Sequence, residues 1–440
     1  MPDVTDAAPA DSPKFDAPRS FDSLLSDCVH CGFCLPACPT YVSWGEEMDS
    51  PRGRIDLMKG FETGAIPLDG VVQQHIDRCL GCMACVTACP SGVRYDLLIE
   101  ATRAKVEDDV PRSPDDRAFR EFVFALFPYP RRLRALIPGL WLSTRLGVAR
   151  AAAGPLGKAL PHRIRQLLAM APAVTLRDAF DRLPQHTPAK GERRARIALI
   201  AGCVQRAMFP NVNRATIRVL AAEGCEVVVP RGQGCCGALS LHSGRPEEAK
   251  RFARALIERF ERETVDAIII NAAGCGSTLK GYGELFADDA AWRDRAVAFE
   301  HKVKDVNEYL AALEPRAQRK PLTFKVAYHD ACHLAHAQRI REQPRALLRT
   351  IPGLQLCEIP NGDQCCGSAG TYNLFQPESA HEIGMRKVDN VQSVAPDMVA
   401  SANPGCTLQM LSIFRERGIT MRSAHPVELL DAAINGTSLP

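Results

Sequence analysis

Cys28-Val29-His30-Cys31-Gly32-Phe33-Cys34-Leu35-Pro36-Ala37-Cys38-Pro39 sets four cysteines at the spacing C-x2-C-x2-C-x3-C, with proline directly after the fourth. The run recurs 51 residues later as Cys79, Cys82, Cys85 and Cys89, followed by Pro90. A two-residue gap turns consecutive sulfurs towards a common centre, so three thiolates of one run wrap one face of an iron–sulfur cube. The fourth, beside the proline, reaches across to the other cluster. Two runs therefore predict two [4Fe–4S] clusters in one small unit, each with three ligands from one run and one from the other. A pair of zinc knuckles would need only C-x2-C ligands; two complete copies of the longer pattern argue for the clusters.

Around these runs the spacing predicts helices. Ser50-Pro51 reads as an N-cap with proline at the first helical position, opening a helix through Ile55 and Met58 that stops at Gly60. A second helix leads into Cys79 from about Leu68. Helices between the runs resemble the α-helical ferredoxin domain of respiratory iron–sulfur subunits more than the compact β-rich ferredoxin. Arg52, Arg54 and Arg94 either offset the negative charge of thiolate-ligated clusters or lie on solvated helix faces.

The chain of 440 residues is 46% hydrophobic and 24% charged, ordinary values for a globular protein of about three domains. Eighteen cysteines are many for that length. The start, Met1-Pro2-Asp3-Val4-Thr5, has neither a basic region nor an apolar stretch, so it does not read as a secretory signal. The cysteines then point to metal ligation in a reducing compartment. Residues 1–20 read as a disordered lead-in, 21–115 as the ferredoxin domain and 116–194 as a connector. From Phe122 to Arg177 there is no Asp or Glu, but there are nine Lys or Arg, among them Arg131, Arg132, Arg134, Arg145, Arg163 and Arg165. Interleaved with Phe124, Tyr129 and Trp141, they suit an anionic lipid surface or a partner groove; a connector packed over its own domains explains them as well. Its proline breaks and redox setting argue against nucleic acid.

From about Arg196 strands and helices alternate in the order of a parallel, doubly wound sheet, once over 195–320 and again over 321–440. Each copy carries matched cysteines: Cys203, Cys235, Cys236 and Cys275, then Cys332, Cys365, Cys366 and Cys406, with corresponding residues 129 to 131 positions apart. This is an internal duplication. Each cysteine falls beyond a strand, and parallel strands bring such ends to one edge. Four thiols then meet per copy, able to hold a further iron–sulfur cluster, a zinc ion or nothing permanent. Gly237 and Gly367 suit a positive φ or close backbone approach. Cys225 and Cys357 fall out of register and read as buried apolar cysteines. His329, His333 and His336 either ligate a metal, move protons, or are polar residues at a helix start.

The repeat, with its paired Cys-Cys-Gly, resembles the CCG modules of the heterodisulfide reductase family, which also occur in glycerol-3-phosphate and lactate oxidation systems. Those modules commonly carry a further C-x2-C. Here Ala272 and Asn403 stand three residues before the last cysteines, and Thr278 and Gln409 three after, so a five-cysteine site is in question.

The whole order is similar to that of the iron–sulfur subunits of bacterial glycolate oxidase: paired runs, basic connector, two CCG modules. Local stretches carry the resemblance too: Ser50-Pro51-Arg52-Gly53-Arg54-Ile55, residues 90–95 (Pro-Ser-Gly-Val-Arg-Tyr) and Cys365-Cys366-Gly367-Ser368-Ala369-Gly370-Thr371-Tyr372. It implies an electron-transfer subunit, inactive alone, in a complex that oxidises glycolate to glyoxylate on an FAD-bearing partner. Electrons would pass to an acceptor such as the membrane quinone pool, from a cytoplasmic protein or one peripheral on the inner face of the membrane. No G-x-G-x-x-G follows a predicted strand and no P-loop occurs, which agrees with a flavin on another chain. The rivals are a lactate or glycerol-3-phosphate system subunit, a disulfide-reducing enzyme, and a zinc-stapled binding protein.

Overall fold

The computed structural model describes residues 19–147, 163, 167, 168, 170, 171 and 174–439. The expected lead-in lies, but for its last two residues, outside them, as do parts of the connector.

The N-terminal unit is helical. Ser50 caps the helix Pro51–Glu62, its Oγ accepting from Gly53 N–H at 3.0 Å. The helix continues past Gly60, contrary to the expected stop. A Cβ at Gly60 would lie 2.9 Å from Ile66, so this glycine makes room for a neighbour. Asp69 caps Gly70–Asp77, and the helix Tyr95–Asp109 completes the layer. Met58, Ile76, Leu98 and Ile99 are fully buried between them, each contributing about 1.5–3 kcal/mol of apolar burial.

The two cysteine runs fold alike. Residues His30 and Gly32 in the first, and Gly81 and Met83 at the matching places in the second, all have positive φ. A left-handed turn between successive cysteines points backbone N–H groups inward; Gly81 N–H lies 3.4 Å from Cys79 Sγ. At His30 and Met83 the conformation costs about 1–2 kcal/mol each, which the surrounding loop must overcome.

Among the described residues, the C-terminal half forms two sheets of like topology. In the first, β2 (Ala195–Leu199), β3 (Cys225–Val228), β4 (Ala267–Ile270) and β5 (Val303–Asp305) lie parallel in the order β3-β2-β4-β5; β1 (His186–Thr187) adds an antiparallel edge. In the second, β6 (Lys325–His329), β7 (Gln355–Glu358), β8 (Met398–Ser401) and β9 (Arg422–Ala424) follow the order β7-β6-β8-β9, all parallel. The duplication thus extends to strand order. One apolar core joins the copies: Leu220 and Leu310 of the first share it with Leu348 and Leu430 of the second. Helix Pro210–Ala222 packs on Pro426–Asn435, and Glu342–Arg349 on Val306–Ala311. That is a reciprocal exchange of matching elements, as a two-fold relation produces.

Cys225 is buried on β3. Cys357 is only half-buried, because β7 is a sheet edge, which corrects its reading as a buried cysteine. Of the connector, helices Pro114–Leu126 and Pro130–Arg145 bury Val123, Phe124, Leu133 and Ile137, while Arg131 and Arg132 stay exposed. Arg165 lies outside the described residues.

Candidate metal centres and the three-way junction

Cys38 lines a cleft of about 310 Å³ together with Cys79, Cys82 and Cys85. The fourth cysteine of the first run therefore meets the first three of the second, the crossing that the spacing predicts. Burial pushes Cys82 and Cys85 well above the ordinary thiol value, neighbouring thiols adding to it. For Cys79 burial is outweighed by the Arg54 and Arg103 guanidiniums and by bonds from Gly81 N–H and Tyr95 hydroxyl, and the thiol is held low. Four converging, largely buried thiols with too little cationic charge suit a thiophilic metal group, which supplies the missing charge and deprotonates them.

Arg54 is 0% exposed. It donates to His75 O at 2.7 Å and Asp49 Oδ1 at 3.3 Å. Burial disfavours its charge, but Cys79, Tyr95, Cys38 and Asp49 around it keep it protonated. Arg94 instead pairs with Asp96 at 2.8 Å, and Arg52 with Glu47 at 2.7 Å. Arg54 is the one of the three buried beside the second run, while Arg52 lies over the first, its Nη1 donating to His30 O at 3.2 Å.

The first run lies nearer the surface. Cys31 is exposed and Cys28, Cys34 and Cys89 are half-buried, while Val29 and Phe33 between them are 67% and 66% exposed.

In the first CCG module Cys203 Sγ lies 3.5 Å from Cys235 Sγ, and Cys236 interacts with both Cys235 and Cys275, which hold its thiol well below the usual value. In the second, Cys332 Sγ and Cys365 Sγ are 4.0 Å apart. Cys366 and Cys406 gather with His329, their ligand atoms within 4.8 Å of one another. Gly237 and Gly367 both have positive φ, and a Cβ there would strike Ala249 O at 2.9 Å or Ala380 O at 2.3 Å. Each glycine thus turns the chain after the paired cysteines and lets helix Pro246–Phe260 or Pro377–Ser393 pack against the turn.

Ferredoxin unit and modules converge. Cys82, Cys332 and Cys365 share one small apolar cluster with Leu80 and Tyr372. His333 Nε2–H donates to Gly81 O at 3.0 Å, and its Nδ1 accepts from Ser277 Oγ at 2.6 Å. The His242 and His333 ring centroids lie 4.9 Å apart in an edge-to-face arrangement. His242 Nδ1–H in turn donates to Glu100 at 2.9 Å. His242 and Tyr372 occupy matching places after the two Cys-Cys-Gly turns, and both reach the ferredoxin unit, Tyr372 by donating to Arg78 O at 3.1 Å. His336 bridges Thr87 and Asp363 O. Sequence reasoning passed over His242, Glu100, Arg103 and Ser277; the 130-residue register of His242 with Tyr372 was the one available signal.

A 4Fe-4S dicluster domain model matches residues 24–93, and a cysteine-rich (CCG) domain model matches 197–280 and 326–411. A third model, the linker region of the glycolate oxidase iron-sulfur subunit, matches 115–171. The probable glycolate oxidase iron-sulfur subunit of Bacillus subtilis is 38% identical, covering 96% of both chains. The chain belongs to the glycolate oxidase iron–sulfur subunit family. The Escherichia coli glycolate oxidase iron-sulfur subunit is 36% identical, covering 94% of this chain and 95% of its own. Lactate utilization protein A of Exiguobacterium is 29% identical and matches only 54% of this chain, though 98% of its own length. A Helicobacter pylori hypothetical protein of known crystal structure shares the fold, with a TM-score of 0.57 at 8% identity, covering 95% of this chain and 77% of that one. The glycolate oxidase family therefore accounts for both halves and for the connector, where the lactate relative accounts for half.

Proposed function

We propose that this chain is the electron-relay subunit of a flavin-dependent glycolate oxidase complex, an oxidoreductase acting on CH–OH with an acceptor other than NAD or oxygen. The full-length match to glycolate oxidase iron–sulfur subunits carries the reading. Bound iron–sulfur clusters supply single-electron carriers, whereas oxidising an alcohol to a carbonyl releases an electron pair, so a flavin on a partner subunit must split it.

The chain's part is to hold and order the carriers. Cys28, Cys31, Cys34 and Cys89 form the outer ligand set, and Cys79, Cys82, Cys85 and Cys38 the inner one. Cys203, Cys235, Cys236 and Cys275 hold a metal group in the first module, and Cys332, Cys365, Cys366 and Cys406 one in the second. The domains run 21–115, 116–194, 195–320 and 321–440, the last two each doubly wound. Exposed Val29 and Phe33 beside Cys31 make the face where the flavin subunit docks; apolar exposure beside a redox centre suits a partner. From there the ligand sets lead inward to Cys82, which shares a cluster with Cys332 and Cys365. Among the described residues no helix is long and apolar enough to cross a membrane. A cytoplasmic chain resting on the inner membrane face reaches a quinone acceptor through the exposed Arg131 and Arg132 of the connector.

Iron and acid-labile sulfide analysis tests the ligand assignment. Anaerobically purified protein should carry about eight irons from the first two sets, and more from the modules. Stoichiometric zinc with iron near zero would defeat it. Cys34→Ser or Cys85→Ser should each remove one cluster's signal and leave the α/β half folded.

A further inference from the structure

Among the matching positions at which the two CCG sites differ are three that exchange a buried apolar residue for a buried polar one. Where the first has Ile200, Ala238 and Ile270, the second has His329, Ser368 and Ser401. His329 and Ser401 are register partners on β6 and β8. All six residues are buried. In the second site, His329 Nδ1 and Nε2, Ser368 Oγ and Ser401 Oγ are buried without a hydrogen-bond partner among the described residues. Buried polar groups are nearly always satisfied, and an unpartnered one costs about 1–3 kcal/mol. An imidazole that is 0% exposed, with neither nitrogen used by the protein, requires a partner from outside the chain. Its nitrogen and the sulfurs of Cys366 and Cys406 all lie within 4.8 Å of one another. Imidazole joined to thiolates is the donor set of zinc or of a cluster iron.

We infer that His329 is a ligand of the metal held by Cys366 and Cys406, so that the second CCG site is a mixed nitrogen–sulfur centre and the first an all-thiolate one. The inference rests on the proposed metal occupancy of the modules and extends it. The imidazole adds a neutral donor to the module's thiolates, so the two sites differ in ligand type and not in cysteine count. The duplication has thus diverged into two chemically distinct sites.

X-ray absorption at the iron and zinc edges of the full chain, with nitrogen-sensitive pulsed EPR of the reduced protein, tests it. The edge that carries the nitrogen signal tells zinc from iron. The signal assigned to the second module is the one lost in Cys406→Ser. It should contain about one imidazole nitrogen. In His329→Gln that nitrogen should vanish and metal affinity fall about ten-fold or more, with the N-terminal cluster signals intact. His329→Cys, which keeps a donor, should retain the metal with sulfur only, and serves if the Gln variant does not fold. A Cys406-dependent metal with sulfur ligands alone, or an imidazole signal surviving in His329→Cys, overturns the inference and leaves the relay function standing. No Cys406-dependent metal at all overturns both the inference and the occupancy it rests on.

Discussion

His333 Nε2 and Gly81 O, 252 positions apart in the chain, meet at 3.0 Å. A carbonyl only accepts, so the proton sits on Nε2 and leaves Nδ1 to accept from Ser277. One imidazole thereby ties the loop between Cys79 and Cys82 to the helix carrying Cys275 and to the turn after Cys332. His333→Ala should cost about 1–3 kcal/mol. It should also speed amide exchange around residues 79–85 without loss of iron. Unchanged exchange there would mean that apolar contacts alone hold the junction.

Arg54 and Asp49 are both fully buried. Replacing Arg54 by Met leaves Asp49 with His75 and Arg78 as partners, and removes positive charge from beside Cys79. The expected outcome is a loss on the order of 3 kcal/mol in denaturant titration. The inner cluster's midpoint potential in a redox titration should also fall. Arg94→Met, whose guanidinium pairs with Asp96, should do neither.

The Glu428 carboxyl is pushed up to about 7 from an ordinary 4.5, by burial first, against a bond from His425 N–H and with Asp431 adding. Its folded value lies above the unfolded one, so the native state binds the extra proton between these values. Stability on this account declines as pH rises from about 4.5 to 7, then levels. Glu428→Gln keeps an acceptor for His425 N–H. It should gain on the order of 2 kcal/mol at pH 8, the gain shrinking through pH 7 and disappearing by pH 4.5. Chemical denaturation across that range measures it.

The convergence of Cys79, Cys82 and Cys85 and the repeated strand order were legible because both depend on local spacing. Three thiols two residues apart must face one centre, and strands of alternating βα order must run parallel. Cys38 crossing to the second run was legible for the same reason. The junction was not. Nothing in the neighbourhood of Gly81 announces His333, and His242 sits in an ordinary helical stretch. Gly60 looked like a helix stop because a glycine chosen for packing against Ile66 reads the same as one chosen for termination. Cys357 misled because an edge strand carries the same apolar residues as a central one.

The connector buries Leu133 and Ile137 yet exposes Arg131 and Arg132. If those arginines meet an anionic membrane, each contributes about 1 kcal/mol, screened by salt. Arg131→Gln with Arg132→Gln should release the complex from anionic vesicles at low salt in a sedimentation assay, with glycolate-dependent dye reduction unchanged. A drop in dye reduction with vesicle binding unaltered would instead assign the arginines to the flavin partner.

On the proposed relay function, electrons enter this chain from a flavin partner and the chain alone has no substrate chemistry. Rapid-freeze EPR of the anaerobic protein after addition of glycolate tests it most directly. With the flavin subunit present, reduced-cluster signals should appear within turnover time, and Val29→Asp with Phe33→Asp should slow their appearance while iron content stays the same. Without the flavin subunit the clusters should stay oxidised. Cluster reduction or glyoxylate formation by the isolated chain, free of flavin, would contradict the account.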